Sequence, residues 1–155
     1  MVSKNERKKI GKHNRTSGQR FELRVRKDLE GKGWIVDRWS NNVELKYKKV
    51  SLEPDIIGTK ILGKLIPAKS FMGRSRTNGF PDFVIFKPEE VLTVEDKTFG
   101  EDQLCYQVIG VECKSNGYLN KIEKEKIDWL LNNNIFSKIL IAKKGKGREI
   151  VYNEK

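Results

Sequence analysis

Two cysteines, one histidine and no long apolar run leave this 155-residue chain short of several common chemistries. A membrane-spanning helix needs roughly 18 consecutive apolar residues, and no signal-peptide apolar core follows the basic N-terminus, so the expected site of action is the cytoplasm, whether the gene is cellular or carried by a virus or phage. Cys105 and Cys113 are too few for a four-cysteine zinc site, and the single histidine, His13, lies in a basic segment, which makes a mixed zinc site a poor fit. Both cysteines are expected to be reduced and structural. Acid is also scarce in places: none occurs from Ile56 to Pro81, where Lys60, Lys64, Lys69, Arg74 and Arg76 do.

Positive charge is plentiful. Lys and Arg number 32 against 21 Asp and Glu, a formal charge of +11, which favours a polyanionic partner bound in a salt-sensitive manner. Residues 1–20 carry Lys4, Arg7, Lys8, Lys9, Lys12, Arg15 and Arg20 against Glu6, the pattern of a loosely held basic arm, here bounded at 1–15. Residues 16–155 are long enough for one domain with a central sheet and flanking helices, and 41–80 reads as an elaboration on it.

Local patterning supports an α/β layout with a mixed central sheet. Thr16 and Gln19 have capping-box spacing, followed by Phe21, Val25 and Leu29 at helical intervals up to Gly31 and Gly33. Glu22 falls beside that apolar stripe, a costly place for an acid without a partner. Trp34–Ser40 reads as a strand ended by Asn41-Asn42, and Val43, Leu45 and Tyr47 alternate with charge as in a half-exposed strand. Ser70–Gly79 reads as a loop, Asp82–Phe86, Val91–Val94 and Leu104–Lys114 as strands. Asn120 is placed to cap a helix with apolar Ile122, Ile127, Leu130 and Leu131, and strands follow at Lys138–Ala142 and Arg148–Tyr152.

The chemistry concentrates in two strand ends. Asp82 opens one apolar strand, and Glu112 and Lys114 close another; alternation puts Glu112 and Lys114 on one face while Cys113 offers its backbone carbonyl. Two hard carboxylate ligands and an ammonium suit a Mg²⁺ ion working on a phosphodiester, with Mn²⁺ able to substitute. Glu95 with Lys97 is a rival, because a Lys87–Glu90 loop would put Asp82 opposite Glu95 in a short hairpin. Pairing Asp82 with Glu112 instead puts Phe86 opposite Val108. The amphipathic helix after Lys114 favours Glu112. Asp55, after Pro54, competes weakly with Asp82 and is better explained as turn chemistry. Gly58–Leu65 has the spacing of a phosphate-binding loop, but Leu65 replaces the metal-binding hydroxyl. Trp34, Trp39 and Phe80 are candidates for base stacking or for the core.

These blocks resemble the PD-(D/E)XK nuclease superfamily and, more narrowly, archaeal-type Holliday junction resolvases. The likeness rests on Gly18 through Phe21-Glu22 to Gly33-Trp34, Arg38 and Ser40, on Pro81-Asp82, and on Glu112-x-Lys114-Ser115. It implies a restriction-endonuclease-like core with an insertion between the first strand and the Pro-Asp strand. It further implies a metal site of Glu22, Asp82, Glu112 and the Cys113 carbonyl, with Lys114 assisting the attacking water. Arg20, Arg38, Ser40, Lys69, Arg74, Arg76 and Ser115 would then contact DNA. A homodimer cutting four-way junctions is the matching assembly. The segment between Ser40 and Asp82 is longer than in those resolvases, and Trp129 on the second helix is shared with nuclease modules of replication and repair proteins. Three readings stay open: a junction resolvase, a related nuclease acting on ends or flaps, and a nonenzymatic basic DNA-binding protein.

Overall fold

Apolar residues spaced four apart, Phe21, Val25 and Leu29, form the buried stripe of a helix that runs much further than its core contacts. The computed structural model describes residues 3–53, 56–68, 70–71, 74–75, 79–88 and 106–155. In it, α1 spans Lys4–Gly31, and its N-cap is Ser3, whose hydroxyl accepts from the Glu6 N–H while Glu6 accepts from the Ser3 N–H. The expected start at Thr16 is therefore corrected. Thr16 lies mid-helix and donates its hydroxyl to the Lys12 carbonyl at 3.0 Å. The basic segment expected to be loosely held is helical from Lys4, although residues 4–20 are all exposed.

Among the described residues nine strands follow the order β1 (Ile35–Arg38), β2 (Asn41–Glu53), β3 (Ile56–Pro67), β4 (Ser70–Phe71), β5 (Arg74–Ser75), β6 (Phe83–Pro88), β7 (Tyr106–Cys113), β8 (Lys138–Lys144) and β9 (Ile150–Glu154), with α2 (Lys121–Asn132) between β7 and β8. The central sheet has five of these strands in the order β1-β6-β7-β8-β9. Only β7 and β8 run parallel, joined by the α2 crossover that parallel neighbours require; the other pairs are antiparallel. This is an α/β molecule with a mixed sheet.

The pairing of β6 with β7 sets Phe83 opposite Val111 and Phe86 opposite Val108, the register that brings Asp82 to Glu112. The other edge of β6 is taken by β1, with Arg38 opposite Phe83. Both edges of β6 are thus occupied by described strands. Glu95, Lys97 and the Val91–Val94 strand themselves lie outside the described residues, as do Asp55, Lys69, Arg76 and Cys105.

Two cores cover the two faces of the sheet. On one, Phe21, Val25 and Leu29 of α1 pack on Val36, Phe83, Ile85, Ile109 and Val111. On the other, Ile127 and Leu130 of α2 join Ile139, Ile141, Phe136 and Phe80, with Ile122 left 55% exposed rather than part of the helix's buried face. Fully burying side chains of this size contributes about 1.5–3 kcal/mol each, so the acids at the sheet's end stand on a rigid base.

The insertion is a hairpin of its own. β2 and β3 form a separate two-stranded sheet, and Val43, Leu45 and Leu65 pack into the α2-side core beside Trp129. Asn41 begins this hairpin instead of ending β1. β4 and β5, expected as loop, pair as a short second hairpin. The glycine and lysine pattern at Gly58–Leu65 lies on extended β3, which corrects any reading of it as a phosphate cradle. Phe80 is buried, and Trp34 and Trp39 pack against the two cores, so these aromatics serve the interior rather than displaying faces for bases.

Candidate active site

Three neighbouring backbones hold the Pro-Asp strand in place. Trp39 N–H donates to the Asp82 carbonyl at 3.2 Å, and Phe80 N–H to the Asn41 carbonyl at 2.8 Å. Gly79 permits this approach: a Cβ there would lie 1.8 Å from the Trp39 carbonyl oxygen. Asp82 immediately precedes β6 and lies next to the end of β7, where its Oδ2 accepts the Cys113 N–H at 2.8 Å.

Glu112 is the only buried charged residue among the described residues, 4% exposed. Its Oε1 lies 3.1 Å from Lys114 Nζ, while its Oε2 is buried with no hydrogen-bond partner. Leaving a carboxylate oxygen unsatisfied inside a protein is costly and needs an explanation. Burial, and then the charge of Asp82, push the Glu112 carboxyl up to about 8; Lys114 opposes this without overcoming it. The reason is that Lys114 is shared. Its Nζ is closer to Glu123, at 2.6 Å, than to Glu112. Burial alone would depress the Lys114 ammonium, but Glu123 and Glu112 together raise it and keep it charged.

Glu22 reaches the same sheet end from α1. It pairs with Arg38 at 2.7 Å, which supplies the partner its position beside the apolar stripe demanded. Burial and the Asp82 charge raise its carboxyl, with Arg38 acting against them. Asp82 is raised by burial too, against the Cys113 N–H, Lys114 and Arg38. Cys113 sits among all three acids: burial first, then Asp82, Glu112 and Glu22, push its thiol up, so it is neither a thiolate nucleophile nor a soft metal ligand.

Four of the expected residues, Glu22, Asp82, Glu112 and Lys114, are therefore brought to one end of the sheet. They do not form a closed cage. Among the described residues no three His, Cys, Asp or Glu side chains converge closely enough to hold a metal ion. Glu22 is turned to Arg38, and the charge of Asp82 acts on both Glu112 and Glu22. Arg38, Ser40 and Ser115 border this end and are exposed, as is Arg20 on α1. Arg74 lies on β5, and its side chain is outside the described residues.

Two participants were missed from sequence. Glu123 completes a capping box with Asn120 and also anchors Lys114, and the Asn-x-x-Glu spacing was the available signal. Lys126 lies one helical turn further on. Its ammonium donates to Asn42 Oδ1 at 2.6 Å and stands 5.4 Å from the centre of the Phe80 ring. Burial lowers its proton affinity against the pull of Glu123 and Glu112.

No protein-family model, curated protein or solved structure matches the chain. Among the described residues no helix is long and apolar enough to cross a membrane.

Proposed function

We propose that this chain is a Mg²⁺-dependent DNA endonuclease with a restriction-endonuclease-like core, and that it acts selectively on four-way junctions as a homodimer. The observation that carries the reading is the buried Glu112 carboxylate, with one oxygen unpartnered, paired across the strands with Asp82 and flanked by Lys114. Mg²⁺ takes oxygen ligands and is commonly held by one or two carboxylates while keeping several waters, so a two-carboxylate donor set fits without a third acid. Mn²⁺ fits the same oxygens. When bound, the ion would polarise the phosphodiester and make a water more acidic.

The protein's own groups have distinct tasks. Asp82 and Glu112 supply negative charge that the free protein holds only at a cost, a tension that a cation relieves. Lys114, oriented by Glu123, presents an ammonium where negative charge develops on the attacked phosphate. Arg38, 71% exposed at its side chain, holds Glu22 and would meet a neighbouring phosphate. A four-way junction has near two-fold symmetry and needs two paired cuts, which accounts for the proposed homodimer. Trp129 on α2, packed beside the β2–β3 hairpin, favours as a second reading a relative that cuts ends or flaps.

The test compares wild type with Glu112→Gln on a four-way junction and on linear duplex of the same sequence, with Mg²⁺. Wild type is expected to cut the junction faster than the duplex. The variant should still bind DNA while its cleavage falls at least about 100-fold. Equal rates on both DNAs would remove the junction assignment. Unchanged cleavage by the variant would remove the site.

A further inference from the structure

The N-terminal half of α1 has no fold of its own to serve. Its residues 4–20 are all exposed, whereas the docked half buries Phe21, Val25 and Leu29. Ile10 is the lone aliphatic side chain from Ser3 to Arg20, and Gly11 and Gly18 interrupt the segment. Glycine in a helix interior costs about 1 kcal/mol relative to alanine, and short isolated helices are marginal in water. A polar, glycine-containing helix projecting some 25 Å at 1.5 Å per residue is better suited to a partner than to solvent alone.

Four of the seven basic side chains between Ser3 and Arg20 share one face. Advancing about 100° per residue, Lys4, Lys8, Lys12 and Arg15 fall within roughly 80° of arc, and Glu22 of the candidate site falls at the edge of the same arc. Lys9 and Lys27 lie about 100° from Lys8 with Arg20 beside them, and Arg7 lies about 60° from Lys4 on the opposite flank of the row. The basic row therefore leads along the helix to the acid end of the sheet. Glu6 is the lone acid from Ser3 to Arg20, and it is turned back onto the Ser3 N–H at 2.7 Å. A bilayer surface is a poorer match, because membrane-lying helices need an apolar face opposite the basic one and this segment has only Ile10.

We propose that this row is a phosphate rail: the projecting half of α1 lies along the backbone of a DNA duplex arm and leads that arm to the Asp82–Glu112 end of the sheet. The inference rests on the nuclease reading for its destination, but the rail can be tested without cleavage. Lys8→Gln/Arg15→Gln removes two charges from the row. Lys9→Gln/Lys27→Gln removes two from the other side and leaves net charge matched.

Binding of each full-length protein to a linear duplex is measured at several salt concentrations in EDTA, with helix content followed by circular dichroism. Every phosphate that a side chain ceases to neutralise should reduce the slope of log affinity against log salt by about 0.9, so the row variant should fall by close to two while the matched variant falls by well under one. Equal reductions in the two variants would overturn the rail and leave the nuclease reading standing. A selective reduction in the row variant, in a protein that cuts no DNA with Mg²⁺, would keep the rail and reject the nuclease. Binding to phosphatidylserine vesicles with no slope difference on DNA would overturn the rail in favour of a membrane surface. If the row variant loses helix content, Lys8→Arg/Arg15→Lys, which keeps the charges, must restore the slope; failure to do so would also count against the rail.

Discussion

Replacing Glu112 with glutamine should stabilise this protein while disabling the site, and the effect should depend on pH in a defined direction. The Glu112 carboxyl is pushed from 4.5 to about 8, chiefly by burial and by Asp82. Below the unfolded value both states hold the proton, and the site contributes no pH dependence. As pH rises from 4.5 towards 8 the unfolded chain gives up that proton while the folded one keeps it, so folding loses up to about 1.36 kcal/mol per pH unit. Above about 8 the loss is complete, on the order of 5 kcal/mol, a ceiling that local relaxation reduces. Glutamine keeps the shape and never ionises, but it forfeits the attraction to Lys114, which retains Glu123 at 2.6 Å. The net expectation at pH 9 is a gain of about 2 kcal/mol over wild type, shrinking to near zero at pH 4.5. Urea unfolding at pH 4.5, 7 and 9 measures this directly. A variant less stable than wild type at pH 9, or two curves with the same pH slope, would refute the reasoning.

Other perturbations probe the supports of the site. Glu123→Gln leaves Lys114 to Glu112 alone and removes a charge that raises the Glu112 carboxyl, so the rising limb of the pH profile for cleavage should move to lower pH. Asn120→Ala removes the side-chain cap of α2 and should cost about 1 kcal/mol, read as a lower urea midpoint with unchanged slope. Leu130→Ala, at a fully buried position, should cost about 2–5 kcal/mol by the same measurement. Gly63→Ala puts a Cβ 2.2 Å from Trp129 Nε1 and should cost about 1–3 kcal/mol, with a change in tryptophan fluorescence as the hairpin shifts against α2.

Legibility from the sequence followed the kind of interaction that each element depends on. The docked part of α1, the Asn120 cap, α2, and the strands around Asp82 and Glu112 carry their own periodicity or capping signals and could be read locally. The first half of α1 could not be read from hydrophobic spacing because it has none; Ser3 with Glu6 was a capping box hidden inside a run of charge. The choice between Glu95 and Glu112 could not be settled by loop economy, which favours the short hairpin. The observed pairing of β6 rests on β1, a strand some 45 residues away in sequence that fills its far edge, and on β7, which takes the other, while Glu95 lies outside the described residues. Asn41-Asn42 looked like a stop because asparagine favours turns, yet the Asn41 carbonyl receives the Phe80 N–H and the chain goes straight into β2. The sharing of Lys114 between Glu112 and Glu123 depends on how closely α2 returns to the end of β7, which no local pattern encodes.

The most direct test is calorimetric titration of Mn²⁺ into wild type, Asp82→Asn and Glu112→Gln at pH 8, without DNA. If the two facing carboxylates are a cation site, wild type will bind Mn²⁺ and release protons as Glu112 ionises, and each variant will lose both the heat and the proton release. Binding of equal strength in all three proteins would contradict it, as would no binding by wild type at millimolar Mn²⁺.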